Sequence, residues 1–303
     1  MEKKIARKTL GERIKSRQGQ KILVSVTFLL VPLFLLILFT YLPFVDMVKY
    51  SFTKWNGFGD MKFIGFKNYV DLFTNPKYFS VLRTSIYYLI GSFIQIGLAL
   101  LFASLLNTNM RFGSFFKGVI FFPYLINGVA VGFIFLYYFK HGGTLDTLLC
   151  GLGFNLDNLP YWLKSTKLVN ISLAGVSIWR YLGQNMIMFL GAMQSINSDL
   201  YEASMLDGAN KWQQFKYIVL PGIKTVVSIN MILAVKGAIS VFEIPYIMTD
   251  GNGVSATFVT KTLEVAFTSR KIGMASAMGV VLLIMILIIT FVQKKFFDGG
   301  GEE

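Results

Sequence analysis

Tyr201–Lys224 reads YEASMLDGANKWQQFKYIVLPGIK, a hydrophilic stretch set between two apolar runs, and the rest of the chain is organised around it. Asn197, Ser198 and Asp199 supply helix-start chemistry just ahead of it, with Asp199 and Glu202 at N-cap and N3 spacing. Leu200, Ala203 and Leu206 repeat at helical spacing as far as Gly208, where the missing Cβ frees the backbone to bend. A second amphipathic run puts Trp212, Phe215 and Ile218 on one face and Lys211, Gln214 and Lys216 elsewhere. Pro221 then enters the next apolar run, its lack of an N–H tolerated in a first helical turn. The pattern predicts a helix, a glycine hinge and a second helix between two hydrophobic spans. Pattern alone fits either an amphipathic pair lying on lipid headgroups or a compact docking element.

Outward from this stretch the chain reads as membrane protein. Hydrophobic residues make up 54% and charged residues only 15% of the 303 positions, too little charge for an ordinary soluble domain of this length. The net charge of +13 comes with no nucleic-acid recognition module and is read instead through membrane orientation and anionic headgroups. A single cysteine, Cys150, excludes an internal disulfide or a zinc framework. The one histidine, His141, sits beside Gly142 and Gly143 and reads as a solvated loop residue.

Six apolar spans are expected, at about 22–42, 84–105, 118–139, 168–193, 225–248 and 273–292. Residues 1–21 form a basic tail with Lys3, Lys4, Arg7, Lys8, Arg13, Lys15, Arg17 and Lys21. The first run that follows is long enough to cross a bilayer and shows no small-residue cleavage site. Residues 22–293 are one transmembrane domain with the hydrophilic loop at 197–224, and 294–303 a second tail. Both tails and the loop fall on the cytoplasmic side, in agreement with the distribution of Lys and Arg. Gly91 and Gly97 are expected to let helices approach closely, and Tyr161 and Trp162 to anchor at the interface.

Three ionisable residues fall within spans. Arg180 lies in the fourth span and Lys236 in the fifth, and Glu243 follows Lys236 by two helical turns on the same face. Ser177, Trp179, Tyr181, Gln184 and Asn185 cluster around Arg180, and Ser240 and Phe242 lie near Glu243. Charges at such depth hold spans together or line a polar substrate pathway; the pathway is the expectation, because intramembrane charges mark function by default. Aromatic faces with amide and hydroxyl groups are what a sugar requires, although the same groups also join helices. Arg180 and Lys236 invite an anionic ligand. Neutralisation of one of them by Glu243 would suit a neutral one equally.

Glu202-Ala203-Ser204, Gly208, Ile218, Leu220 and Pro221 resemble the EAA loop of ABC-importer permeases: EAA, three residues, Gly, nine residues, I-x-L-P. Ser204 in place of the second Ala is the one departure. Asp207, Gly208, Ala209 and Phe215 also match the DGA-x5-F extension of sugar-importer members, and FIGFKNYVDLF (63–73) is similar to their F-x-G-x-x-N-Y-x-x-L-F stretch. The run 182–209 resembles the span-to-loop signature of the maltose and glycerol-phosphate type. Residues 241–267 are similar to the family's F-D-x-I-Y-x-L-T-x-G-G-P stretch, departing at Glu243, Pro245 and Val254.

The resemblance implies an all-α fold of six transmembrane helices, the type I ABC importer permease fold, in a bacterial cytoplasmic membrane. It implies a second homologous permease, two ATPase subunits that bind ATP and magnesium, and an extracellular or periplasmic solute-binding protein. Glu202 would contact the ATPase and Gly208 would provide the bend, within a coupling set of Ala203, Ser204, Asp207, Ala209, Leu220 and Pro221. Ser177, Trp179, Arg180, Tyr181, Gln184, Asn185, Lys236, Ser240 and Glu243 are pathway candidates by location. No phosphate loop, metalloprotease, nucleophile-elbow or metal-ligand pattern occurs, so neither an enzyme nor a resident cofactor is expected. The expected cargo is an oligosaccharide, with an acidic sugar or a glycerol phosphate as the anionic alternative. An ion-coupled carrier is the other class; it would show repeated halves and helices broken at midplane, and neither is visible in the sequence.

Overall fold

The computed structural model describes residues 17–108 and 110–298, so most of the basic tail and residues 299–303 lie outside the described residues. Helix α1 (Arg17–Leu36) runs through a π turn at Ile37–Tyr41 into α2 (Leu42–Ser51). The first helix is thus longer than the expected span, which ended at residue 42. A two-stranded antiparallel ribbon follows, β1 (Thr53–Lys54) paired with β2 (Lys62–Phe63), and then the short α3 (Lys67–Thr74) and α4 (Pro76–Phe79). The FIGFKNYVDLF stretch has a structural purpose here. Asn68 is buried and donates both amide hydrogens, to Ser51 O at 2.7 Å and Thr53 O at 2.9 Å, which ties α3 to the end of α2.

Helix α5 (Leu82–Leu106) is followed by a pair, α6 (Gly113–Leu125) and α7 (Gly128–Phe139), which meet at 95°. A broken helix is therefore present where none was expected. The break has local causes: Pro123 sits in the last turn of α6, and Asn127 caps α7 by accepting from Val129 N at 2.9 Å. Next come α8 (Thr144–Gly151) and the 26-residue α9 (Val169–Gln194). Beyond the hydrophilic loop lie α13 (Lys224–Ile239), α14 (Glu243–Thr249), α15 (Phe258–Leu263) and α16 (Ile272–Asp298), with α10 to α12 in the loop itself.

Among the described residues, four helical stretches, some of them interrupted, are long and apolar enough to cross a membrane: Val24–Ser51, Pro76–Leu106, Lys224–Thr249 and Ile272–Phe297. The bent α6–α7 pair would make a fifth. Six were expected; the helix that falls short on composition is α9. Its polar side chains include the buried Asn170 and Ser172, on the part of α9 that packs against α5 and α6.

Gly183 lets α9 meet α6: a Cβ there would collide with the backbone of Ile120 and Phe121. At Gly91 the approach of α5 to α9 is an ordinary contact with Ala174 and Ile178, and Gly97 faces open space, so the expectation for Gly97 fails. One core joins α5, α9 and the start of α13 through Ala99, Phe189, Met193 and Ile223, at the loop end. A second, around Leu173, Val131 and Ile244, fills the other end, and a third joins α3, α15 and α16 through Leu72, Phe258 and Met278.

One expectation at the end of α9 remote from the loop is corrected. His141 is not a solvated loop residue: its ring stacks on Tyr161 with centroids 4.2 Å apart, and its Nδ1 faces Asp146 Oδ2 at 3.3 Å. Trp162, nearby, donates its Nε1 to the fully buried Asp146 at 2.7 Å.

Candidate functional site

The hydrophilic loop folds as a helix–turn–helix. Helix α10 (Ser198–Leu206) is capped by Asn197, whose side chain accepts from Asp199 N at 3.0 Å; the expected Asp199 cap is thus shifted two residues towards the N-terminus. The far end closes as a Schellman motif, with Ala209 N donating to Ser204 O at 2.9 Å and Gly208 N to Met205 O at 3.1 Å. Gly208 takes a φ of +81°, the left-handed conformation that the closure needs and that glycine adopts without penalty. Asp207 is the exposed C-cap residue beside it.

Helix α11 (Lys211–Gln214) starts in a complete capping box between Asn210 and Gln213, passes through a π turn at Phe215–Val219, and reaches α12 (Leu220–Gly222), with Pro221 in its first turn. Gln214, expected on the polar side, is buried and donates Nε2 to Ser204 Oγ at 3.0 Å. The departure from a second Ala at position 204 therefore has a physical counterpart: Ser204 supplies the acceptor that clamps α11 onto α10. Tyr201 packs back on the core of α5 and α9, where burial pushes its phenol above the usual value. Glu202 and Ala203 are exposed, Ala209 and Leu220 half-buried. The outer surface carries large apolar side chains, Leu206 at 90% and Trp212 at 69% exposure; Trp212 stays on the expected face, stacked on Phe215 with centroids 5.7 Å apart.

The intramembrane charges pair differently from the one-helix reading. Helix α13 ends with Ser240 as its C-cap and α14 begins at Glu243, so Lys236 and Glu243 do not share a continuous helix. Glu243, in the first turn of α14, accepts from Arg180 Nη1 at 2.6 Å. The Arg180 side chain is 11% exposed and that of Glu243 48%. The Arg180 guanidinium also lies over the Tyr181 ring, 5.1 Å from its centroid, and Tyr181 meets Tyr124 of α6 at 6.1 Å.

The pair sits at the α6–α7 break. A Cβ on Gly128 would meet Glu243 Oε2 and Arg180 Nη1, so the ion pair as it stands here occupies the space that glycine leaves open. The site thus joins Arg180, Tyr181 and Glu243 with Tyr124 and Gly128, two residues that sequence reasoning missed. The Asn127-Gly128 dipeptide, a turn signal inside an apolar run, could have revealed the break. The remaining candidates are dispersed. Ser177 and Ser240 bond carbonyls of their own helix, at Leu173 and Lys236, and Trp179 packs edge-on against Phe135 of α7. Gln184 and Asn185 are half-buried a little over one turn beyond Arg180 along α9; Lys236 is exposed and, among the described residues, has no ion-pair partner.

Residues 95–298 match the family described as "Binding-protein-dependent transport system inner membrane component". The chain is 35% identical to the probable ABC transporter permease protein YurN of Bacillus subtilis, over 90% of this chain and 96% of that one. It is 30% identical to the multiple sugar-binding transport system permease protein MsmF of Streptococcus mutans, over 89% and 93%, and 30% identical to the arabinooligosaccharides permease protein AraP of B. subtilis, over 80% of each. Its fold matches that of a bacterial ABC transporter involved in the import of the acidic polysaccharide alginate, with a TM-score of 0.81 at 20% identity, covering 97% of this chain and 99% of that one. The matched residues take in the charge pair, the helix break and the whole helix–turn–helix, and the chain belongs to the inner-membrane permease family of binding-protein-dependent transport systems.

Proposed function

We propose that this chain is one of two permease subunits of an ATP-driven importer that carries an oligosaccharide, delivered by a solute-binding protein, across a bacterial cytoplasmic membrane. Counting the bent α6–α7 pair as one span and α9 as another gives six, with both termini and the 197–224 loop inside. The observation that carries the reading is the helix–turn–helix. Its Gly208 hinge, Ser204–Gln214 clamp and outward Leu206 and Trp212 make a rigid, apolar-faced element suited to docking in a partner's cleft. Glu202 is placed on it as the contact to the ATPase, and the partner subunits hold the ATP and magnesium.

The carbohydrate assignment draws on relatives named for sugar transport. The Arg180–Glu243 pair favours an uncharged cargo, because the better-buried of the two cations already has its counter-charge. Purification of the chain from native membranes in mild detergent should bring down a second permease and an ATP-hydrolysing subunit. Uptake of a labelled neutral oligosaccharide by the assembly should require ATP. A lone chain that transports without ATP would overturn the proposal in favour of an ion-coupled carrier.

A further inference from the structure

At the end of α9 remote from the helix–turn–helix, about 39 Å away by the length of that helix, lies a cleft of about 690 Å³. It is bounded by the end of α7, the segment leading into α9 and the turn after α14. Its most ordered feature is an aromatic cluster. Asp146 is fully buried and accepts from Trp162 Nε1 at 2.7 Å and from Gly142 N at 2.8 Å, while His141 Nδ1 stands 3.3 Å from it. Tyr161 stacks on His141 with planes 26° apart and leaves its own ring about half exposed to the cleft. A buried carboxylate is costly unless it is satisfied, and here the groups satisfying it are those that hold the rings in place.

Rings fixed in this way lose little conformational freedom when a ligand stacks on them. The rest of the lining mixes apolar side chains such as Leu136 and Met248 with polar ones of both signs, Lys140, Lys164, Asp250 and Asn252. Fixed aromatic faces beside amide, carboxylate and ammonium hydrogen-bonding groups, with no strong net charge, suit a neutral saccharide better than an anion or an apolar ligand. The cleft does not contain the Arg180–Glu243 pair, which lies about 16 Å further along α9.

We propose that this cleft is a saccharide-binding subsite at the outer mouth of the permease, with Tyr161 as the stacking platform, Trp162 beside it and Asp146 as the positioning residue that holds Trp162. The proposal rests on the carbohydrate-importer reading above. The test uses the intact chain in lipid nanodiscs, with maltotetraose, arabinotetraose and chitotetraose as probes of binding, and uptake of the same sugars by the assembled transporter. At least one probe should bind the unmodified chain. Tyr161→Ala should weaken that binding about tenfold or more and raise the uptake KM with little change in maximal rate, and Tyr161→Phe, which keeps the ring, should restore both.

Absence of binding by all three probes, or equal binding by Tyr161→Ala, would overturn the subsite. A Tyr161→Ala loss of uptake with saccharide binding unchanged would also overturn it, and would assign the cleft to contact with the binding protein. If ATP-dependent uptake persists unaltered in Tyr161→Ala, the subsite alone fails. If the assembly imports none of the sugars, the importer reading fails with it.

Discussion

The Arg180–Glu243 pair gives an asymmetry that can be worked from the structure. Arg180 is nearly enclosed, its side chain 11% exposed, whereas almost half of the Glu243 side chain reaches solvent. Glu243→Ala therefore strands a guanidinium in a poorly solvated position, next to an Nε that already lacks a hydrogen-bond partner among the described residues. Removing one partner of a buried pair costs about 3–5 kcal/mol, and the partial exposure of Glu243 puts this case at the lower end, about 3 kcal/mol. Arg180→Met keeps the aliphatic stem and leaves behind a carboxylate that water can reach, for about 1 kcal/mol.

The gap of about 2 kcal/mol corresponds to a difference of about 4–8 °C in Tm for a chain of roughly this size. The double replacement Arg180→Met, Glu243→Leu should lie near the unmodified protein, because no unpaired charge remains. Gly128→Ala should cost less than Glu243→Ala, since the side-chain ends that its Cβ meets can shift and keep their pairing. The assay is thermal unfolding of the purified chain in nanodiscs, followed by intrinsic fluorescence. Equal destabilisation by Glu243→Ala and Arg180→Met, or the reverse order, would refute the view that burial of Arg180 is what makes the pair matter.

Two further outcomes test the helix–turn–helix. Gly208→Val imposes a β-branched side chain at φ +81° and should open the Schellman closure at a cost of about 1–2 kcal/mol; ATP hydrolysis by the assembled transporter should continue while uptake falls, and normal coupling would argue against Gly208 as the hinge. Gln214→Leu leaves Ser204 Oγ without its donor and loosens α11 from α10. Faster protease cleavage near residues 207–211 is the expected reading, and unchanged cleavage would show that the clamp does not hold the element together.

The legibility of the chain divides along a physical line. Hydropathy and turn chemistry are local, so the spans, the hinge at Gly208 and the start of the second loop helix could be read from neighbours a few residues apart. Burial depends on what arrives from elsewhere. Gln214 looks polar and exposed in a helical wheel, yet is buried because Ser204, ten residues earlier, offers it an acceptor. His141 reads as a solvated loop residue until Asp146 is seen beside it.

The sequence by itself determined that this is a membrane-spanning helical protein with a hinged hydrophilic element between apolar runs, and its motifs carried the family. Only the tertiary structure decided which of the intramembrane charges meet. Lys236 and Glu243 stand two turns apart along the chain, but the end of α13 at Ser240 separates them, and Glu243 instead finds Arg180, sixty-three positions away. That pairing is made where three helices converge beside Gly128, and one-dimensional periodicity holds no record of the distance between helices.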